Sequence, residues 1–146
     1  MKADTYLKQI QKLDKLIENK MAEVQRWKEI ANNTTVNMSG ERVQSSGSHD
    51  TVANAICTYL DLEAEIRKDI AEIVSKRQEI IGVIEQLNPT YYDILHKIYV
   101  QGYTLQEVAS LYDRRYEWAS TTKGRALKQV QNILNNMEGK NKNDIT

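Results

Sequence analysis

The chain has 146 residues, with 20 basic and 20 acidic side chains and a formal net charge of zero. It is 40% hydrophobic and 27% charged and has a single proline, which is typical of one or two small helical domains. The single cysteine excludes an intramolecular disulfide framework, and no apolar run approaches the roughly 20 residues needed to cross a bilayer. The first residues, MKADTYLKQIQKLDK, lack the apolar core of a signal peptide. These features predict a cytoplasmic protein.

Two long amphipathic helices are predicted from apolar residues that recur at steps of three and four. The first has about 28 residues and the second about 36, which is roughly 54 Å of helix. We expect them to form an antiparallel hairpin over residues 1–87. The two stripes are Tyr6, Ile10, Leu13, Ile17, Met21, Val24 and Trp27, then Val52, Ile56, Tyr59, Ile66, Ile70, Ile73, Ile80, Ile84 and Leu87.

A two-helix unit buries little apolar surface, so this hairpin predicts self-association, with a dimer favoured. The alternative is that the C-terminal unit folds back and covers the surplus stripe. Between the helices, residues 32–49 are rich in Asn, Ser, Thr and Gly and predict a polar loop. Either the loop is a solvated linker, or it contacts DNA or a protein through Arg42, Gln44, Ser45 and Ser46.

A second domain is predicted over residues 88–137, followed by a flexible tail over 138–146. Asn88 and Pro89 should end the long helix, because the residue before proline avoids helical angles and proline suits the first turn of a new helix. A short supporting helix then presents an apolar stripe of Ile94, Leu95, Ile98 and Tyr99.

The stretch TLQEVASLYDRRYEWASTTKGRALKQVQNIL, residues 104–134, predicts a helix-turn-helix. Gly102 can adopt the left-handed conformation that ends the preceding helix, and Thr104 can cap the next one. Ala109 is small where the two helices come closest, and residues 113–115 form a polar turn. The second helix should pack inward through Ala119, Thr122 or Lys123, Ala126, Leu127, Val130, Ile133 and Leu134.

The outward face of that second helix predicts a DNA-binding surface, since Ser and Thr bind base edges or phosphates and cations bind phosphates. Between residues 114 and 128, five cations stand against one acid, 5 − 1 = +4, although the whole chain is neutral. Trp118 should instead pack against Tyr112 or the supporting helix. The predicted DNA-binding residues are Arg114, Arg115, Tyr116, Glu117, Ser120, Thr121, Lys123, Gly124, Arg125 and Lys128.

The segment LNPTYYDILHKIYVQGYTLQEVASLYDRRYEWASTTKGRAL, residues 87–127, resembles the fourth, promoter-reading region of bacterial sigma factors. Asp113 stands where that family has a turn glycine, and Arg114 stands where it has an apolar residue. Upstream, MSGERVQSSGSHD followed by TVANAICTYLDLEAEI is similar to the phage-encoded sigma-like regulators of the RinA and ArpU type. The resemblance covers residues 7–134 and implies an all-α fold and regulation of transcription.

The leading hypothesis is a sequence-specific DNA-binding regulator, a phage or prophage late-gene activator in the cytoplasm of a bacterial host. It would bind double-stranded DNA, act as a homo-oligomer and contact RNA polymerase, with no membrane partner. Two alternatives are a small terminase-like DNA-packaging subunit and a sigma-like module that docks on polymerase or another protein without reading DNA. No catalytic motif, metal-ligand cluster or cofactor motif occurs in the sequence, so we expect no enzyme activity, metal or cofactor.

Overall fold

The computed structural model describes residues 1–39 and 47–143, with the side chains of residues 1–33 and 51–143. Every regular element in these ranges is helical, which confirms the predicted all-α class. Of the helices within these ranges, none is long and apolar enough to cross a membrane. The elements are α1 (Ala3–Ser39), α2 (Gly47–Glu85), α3 (Pro89–Leu95), a π-helical turn (His96–Val100), α4 (Leu105–Leu111) and α5 (Tyr116–Asn143).

The two long helices extend into the predicted polar loop. α1 continues to Ser39 and α2 begins at Gly47, so residues 32–39 and 47–49 are helical. Asn and Thr are weaker helix formers than Ala by less than about 1 kcal/mol per residue, and no glycine or proline precedes Gly40 in this stretch. The established helix therefore continues through it. The predicted contact residues Arg42, Gln44, Ser45 and Ser46 lie outside the described residues.

α5 also continues further than the sequence predicts. The tail was expected to begin at residue 138, but the helix ends at Asn143. Lys140 and Lys142 lie in its last turn, where positive charge interacts favourably with the helix dipole. Neither the polarity of this stretch nor Gly139 therefore ends the helix.

The chain forms two compact units, and their limits differ from the predicted domains. The terminal unit comprises Met1–Leu13 and Ser75–Thr146, and the middle unit comprises Asp14–Val74. The first three turns of α1 and the last part of α2 thus belong with the segment expected to fold as a separate C-terminal domain. Sequence periodicity gives the length of each stripe but not what each part of the stripe packs against.

The terminal unit has a continuous apolar core to which each of its helices contributes. α3 and α4 both contact α5, and α4 also contacts the π-helical turn. The fully buried large side chains are Leu7 and Ile10 of α1, Ile80 and Ile84 of α2, Ile94 and Leu95 of α3, Val108 of α4 and Val130 of α5.

The first residues of the chain are also bound to the terminal unit by hydrogen bonds. The Ala3 amide donates to Oε1 of Gln131 on α5 at 2.8 Å, and the Tyr99 hydroxyl donates to the Asp4 carboxylate at 2.5 Å. Hydrogen bonds from Lys8 and Tyr99 lower the pKa of Asp4, and burial together with Asp4 raises the pKa of Tyr99. These bonds fix the start of α1 beside α5 and the π-helical turn.

The starts of α3 and α4 confirm the predicted caps. The Asn88 side chain accepts a hydrogen bond from the Tyr91 amide at 2.9 Å, with Pro89 in the first turn. Gly102 has a φ of +80°, and Thr104 accepts a hydrogen bond from the Glu107 amide at 3.2 Å. These short polar side chains replace the partners that the first amides of a helix lack.

In the middle unit, α1 and α2 run antiparallel. Lys20 of α1 pairs with Asp69 of α2 at 3.3 Å, and Lys28, further along α1, faces Glu63, earlier on α2. Hydrogen bonds from Arg67 and Tyr59 and the charge of Lys28 lower the pKa of Glu63.

Candidate nucleic-acid interface

The turn between α4 and α5 keeps a left-handed residue although it lacks a glycine. Asp113 has a φ of +53°. Its amide donates to the Ser110 carbonyl at 3.2 Å, and the Arg114 amide donates to the Ala109 carbonyl at 2.8 Å. This pair of bonds is the Schellman ending of a helix, in which glycine is the usual left-handed residue and Asp is tolerated. The turn therefore forms even though Asp113 stands at the position where sigma factors have a glycine.

Trp118 links the turn to α4. Its ring lies 5.2 Å from the Tyr112 ring, centroid to centroid, which confirms the predicted packing against Tyr112. The Arg114 guanidinium lies over the Trp118 ring, 5.5 Å from its centroid. This cation–π contact takes the place of the apolar contact expected after a turn glycine.

The turn is also linked to α3. The Tyr112 hydroxyl donates a short hydrogen bond to Asp93, which also accepts one from Lys97 at 2.7 Å. Burial and the bond to Asp93 raise the pKa of Tyr112 to about 12. Although burial acts in the opposite direction, the bonds from Lys97 and Tyr112 lower the pKa of Asp93. The sequence reasoning missed Asp93, for which the only signal was its i, i+4 spacing from Lys97.

α5 has a buried face and an opposite exposed face along its first half. Of the two residues considered for the inward position, Thr122 is buried and its hydroxyl donates to the Trp118 carbonyl at 2.7 Å. Nine of the ten predicted contact residues are exposed and lie along the turn and the start of α5: Arg114, Arg115, Tyr116, Glu117, Ser120, Thr121, Gly124, Arg125 and Lys128.

Lys123 is the exception among the predicted contact residues. It is partly buried, and its ammonium lies 5.6 Å from the centroid of the Tyr99 ring. It also contributes positive charge near Asp4. Lys123 lies about 100° around the helix from Gly124 and about 160° from Thr121, so its position on α5 directs it toward the inner part of the terminal unit rather than the exposed face.

The exposed cations leave the surface positive. Without Lys123, four cations stand against Glu117 between residues 114 and 128, 4 − 1 = +3. No carboxylate of the described residues forms an ion pair with Arg115, Arg125 or Lys128, so their charges remain available to an anionic partner.

Gly124 lies in the middle of the exposed face. A Cβ atom added there would meet no atom within 4 Å, so no part of the described protein approaches this glycine closely. The space above it is open, and a glycine there costs about 1 kcal/mol of helix stability relative to alanine.

The structure adds residues of α3 to the surface around Arg125. Thr90 and Tyr91 line a shallow surface depression together with Arg125 and Trp118. Thr90 lies 35 positions before Arg125 in the sequence, so no local pattern could have grouped them. A second depression, which Trp118 also lines, is formed by Asp113, Arg114, Arg115 and Glu117.

No protein-family model, curated protein or solved structure matches this chain. The resemblance to phage sigma-like regulators therefore stays a prediction.

Proposed function

We propose that this protein is a sequence-specific regulator of transcription that binds double-stranded DNA through the start of α5. The observation that carries the proposal is the exposed face of α5, on which Ser120, Thr121 and Gly124 lie between Arg115 and Lys128. Hydroxyl groups and open space suit contact with base edges, and cations on either side suit phosphates.

The contacts that fix α5 in the terminal unit also support its role as a DNA-recognition helix. Its start is fixed to α4 by Trp118 and Tyr112 and, through Tyr112, to Asp93 of α3. A recognition helix has to enter the major groove at a defined angle while neighbouring residues contact the backbone. Thr90 and Arg125 line one depression beside Trp118, and Arg114 and Arg115 line another, where these cations would contact the phosphate backbone.

The finer biological assignment rests on the resemblance. We propose a phage or prophage late-gene activator that works in the bacterial cytoplasm as a homo-oligomer, a dimer, and contacts RNA polymerase. The neutral net charge confines the electrostatic attraction for DNA to the local positive surface.

A direct test is selection from a fragment library of host and prophage DNA, by pull-down and sequencing at near-physiological salt. A specific regulator should enrich one short motif, since specific sites exceed non-specific DNA by about 10³-fold or more in affinity. The control is the double variant Ser120→Ala/Thr121→Ala, which keeps every cation and should retain DNA while losing the motif. Recovery of fragments without a shared motif would contradict sequence-specific reading.

A second candidate function is docking on a protein partner, and one observation favours it. On the outer side of α4, Leu111 is 59% exposed and Tyr103 is 36% exposed, and they line a common surface depression with Glu107. An exposed leucine beside an exposed tyrosine is a usual feature of protein interfaces. In the docking alternative this surface binds polymerase, and Leu111→Ser abolishes the interaction while DNA affinity is absent or non-specific.

A further inference from the structure

We propose that the start of the chain adds a contact with the DNA backbone to the exposed face of α5. Lys2 is the cation that binds a phosphate, and Gln131 of α5 is the residue that positions it. This inference rests on the proposed function and deepens it, because it concerns the same surface. It begins from a gap in the positive charge of α5, which has no basic residue between Lys128 and Lys140.

The exposed face of α5 continues beyond Lys128 to Gln131. At about 100° per residue, Gln131 lies about 20° around the helix from Gly124 and about 60° from Lys128, so the three residues share one side of α5. Along the helix axis, Gln131 lies about 10 Å after Gly124 and about 4.5 Å after Lys128. A group bound to Gln131 therefore lies at the end of the exposed face.

The side-chain amide of Gln131 binds the backbone on both sides of Lys2. Its Oε1 accepts a hydrogen bond from the Ala3 amide at 2.8 Å, and its Nε2 donates to the Met1 carbonyl at 3.2 Å. Nε2 also donates to Oδ1 of Asn135 at 3.2 Å, which orients the amide. These residues all belong to the terminal unit. A single side chain of α5 thus holds the backbone of Lys2 at the end of the exposed face.

The carboxylates close to this segment bind groups other than the Lys2 side chain. Glu138 lies 3.5 Å from the Met1 ammonium, and Asp4 lies 2.8 Å from the Lys8 ammonium. Lys2 is exposed, and no carboxylate of the described residues forms an ion pair with it. Its backbone is therefore fixed, while its charge remains available to an anionic partner.

A lysine in this position suits a phosphate rather than a base edge. Its ammonium is a point charge on a flexible four-carbon stem, without the fixed geometry that base recognition uses. In helix-turn-helix complexes the first part of the second helix contacts base edges, while residues around it contact the backbone. Arg115 places a cation at the beginning of the exposed face, and Lys2 places one at its end.

The test is the salt dependence of binding by the full chain to the selected motif and to random duplex DNA. Lys2→Ala should reduce the slope of log affinity against log salt by about 0.9 on both DNAs, because one phosphate contact is lost. Lys2→Arg keeps the charge and should keep the wild-type slope. Gln131→Ala removes both backbone bonds and should also reduce the slope. The double variant Lys2→Ala/Gln131→Ala should equal Lys2→Ala, since the two residues act through one contact.

The matched control is Lys12→Ala. Lys12 is also exposed and belongs to the terminal unit, and no carboxylate of the described residues forms an ion pair with it. It lies about 15 Å further along the chain on α1, so its removal should leave the slope unchanged. The slope also separates positioning from a loss of stability in Gln131→Ala, because an unfolded fraction lowers the apparent affinity equally at every salt concentration.

Three results would overturn the inference: an unchanged slope in Lys2→Ala, an equal reduction in Lys12→Ala, or additive reductions from Lys2→Ala and Gln131→Ala. The outcome is separable from that of the proposed function. Enrichment of one DNA motif together with an unchanged slope in Lys2→Ala would reject the Lys2 contact and retain the regulator. Recovery of fragments without a shared motif, together with a reduced slope in Lys2→Ala alone, would retain the Lys2 contact and reject sequence-specific reading.

Discussion

At the scale of single residues, Arg115 should contribute affinity for DNA without contributing sequence preference. It is exposed in the turn before α5, and no carboxylate of the described residues forms an ion pair with it. Each phosphate neutralised by a cation releases counterions, so Arg115→Ala should reduce the slope of log affinity against log salt by about 0.9. Salt-dependent binding titrations on the selected motif and on random DNA measure this effect.

The matched control for that experiment is Lys140→Ala. It also removes one positive charge, but Lys140 lies in the last turn of α5, about 38 Å along the helix axis from the turn that contains Arg115, at 1.5 Å per residue. Its salt slope should equal that of the wild type. An equal reduction in both variants would mean that only total charge attracts DNA, and the assignment of Arg115 to the interface would be withdrawn.

Thr121 should contribute to the preference for one DNA sequence over others, rather than to the overall affinity for DNA. It lies at the centre of the exposed face of α5, one turn before Arg125 and close to Gly124. Removal of one base contact typically changes discrimination by about 1–3 kcal/mol. Thr121→Ala should therefore lower affinity for the selected motif and leave random DNA nearly unchanged, as competition binding would show. An equal loss on every sequence would place Thr121 on a phosphate.

At the scale of elements, the turn between α4 and α5 should respond to glycine in the opposite way from a helix. Asp113 has a φ of +53°, a conformation that disfavours a Cβ atom, whereas Ser110 is helical. Asp113→Gly should thus be more stable than Asp113→Ala by about 1 kcal/mol, and Ser110→Ala more stable than Ser110→Gly by a similar amount. Urea unfolding of the four variants measures both differences. Alanine more stable than glycine at both positions would rule out the left-handed turn.

The link between α4 and α3 predicts a loss of stability in alkali. The pKa of Tyr112 rises to about 12 in the folded protein, mainly because of burial and also because of Asp93. The neutral phenol is therefore favoured by folding, and its contribution is complete below the unfolded pKa near 10 and is lost as the pH rises toward 12. The free energy of unfolding should fall in this window, and Tyr112→Phe should make the fall shallower.

The measurement is urea unfolding at several pH values between 8 and 11.5. It is monitored by Trp118 fluorescence in a Trp27→Phe background. Tyr99 also has a raised pKa, so part of the fall should persist in Tyr112→Phe. Tyr91→Phe is the control, because Tyr91 is a tyrosine of α3 whose hydroxyl takes no part in the bond to Asp93. If Tyr91→Phe and Tyr112→Phe altered the pH dependence equally, the bond to Asp93 would not be its source.

The starts of α3 and α4 could be predicted from sequence, because Asn88 and Thr104 accept bonds from amides three residues away and Gly102 adopts a positive φ. Helix ends without such a signal could not, as α1 shows by continuing to Ser39. The exposed face of α5 followed from periodicity, but Lys123 did not, since its contact with Tyr99 joins two elements. Interactions within a few residues could be predicted from the sequence, whereas contacts between elements could be found only in the structure.

At the scale of the whole molecule, the terminal unit is assembled from two distant parts of the chain. Leu7 and Ile10 are fully buried in the same unit as Val108 and Val130. The apolar stripe of α1 looked uniform in sequence, yet its first three turns serve this unit and the remainder belongs to the middle unit. Nothing in the spacing of that stripe marks the change after Leu13, because both parts repeat at the same helical period.

This division predicts that a substitution at the start of α1 should disable DNA binding at the other end of the sequence. Leu7 has no exposed surface, so Leu7→Ala should reduce the free energy of unfolding of the terminal unit by about 2–5 kcal/mol. Leu16→Ala is the matched control, since Leu16 lies on the same helix but is 40% exposed and belongs to the middle unit. Its effect on the terminal unit should be below about 1 kcal/mol.

In a Trp27→Phe background, urea unfolding monitored by Trp118 fluorescence reports on the terminal unit, because Trp118 packs on Tyr112 between α4 and α5. Leu7→Ala should lower the midpoint of this transition and, at temperatures where the unit is partly unfolded, lower DNA affinity in the same proportion. Leu16→Ala should leave both measurements close to wild type. If the two variants behaved alike, α1 would act as a single element, and the reading surface would be built by residues 88–143 alone.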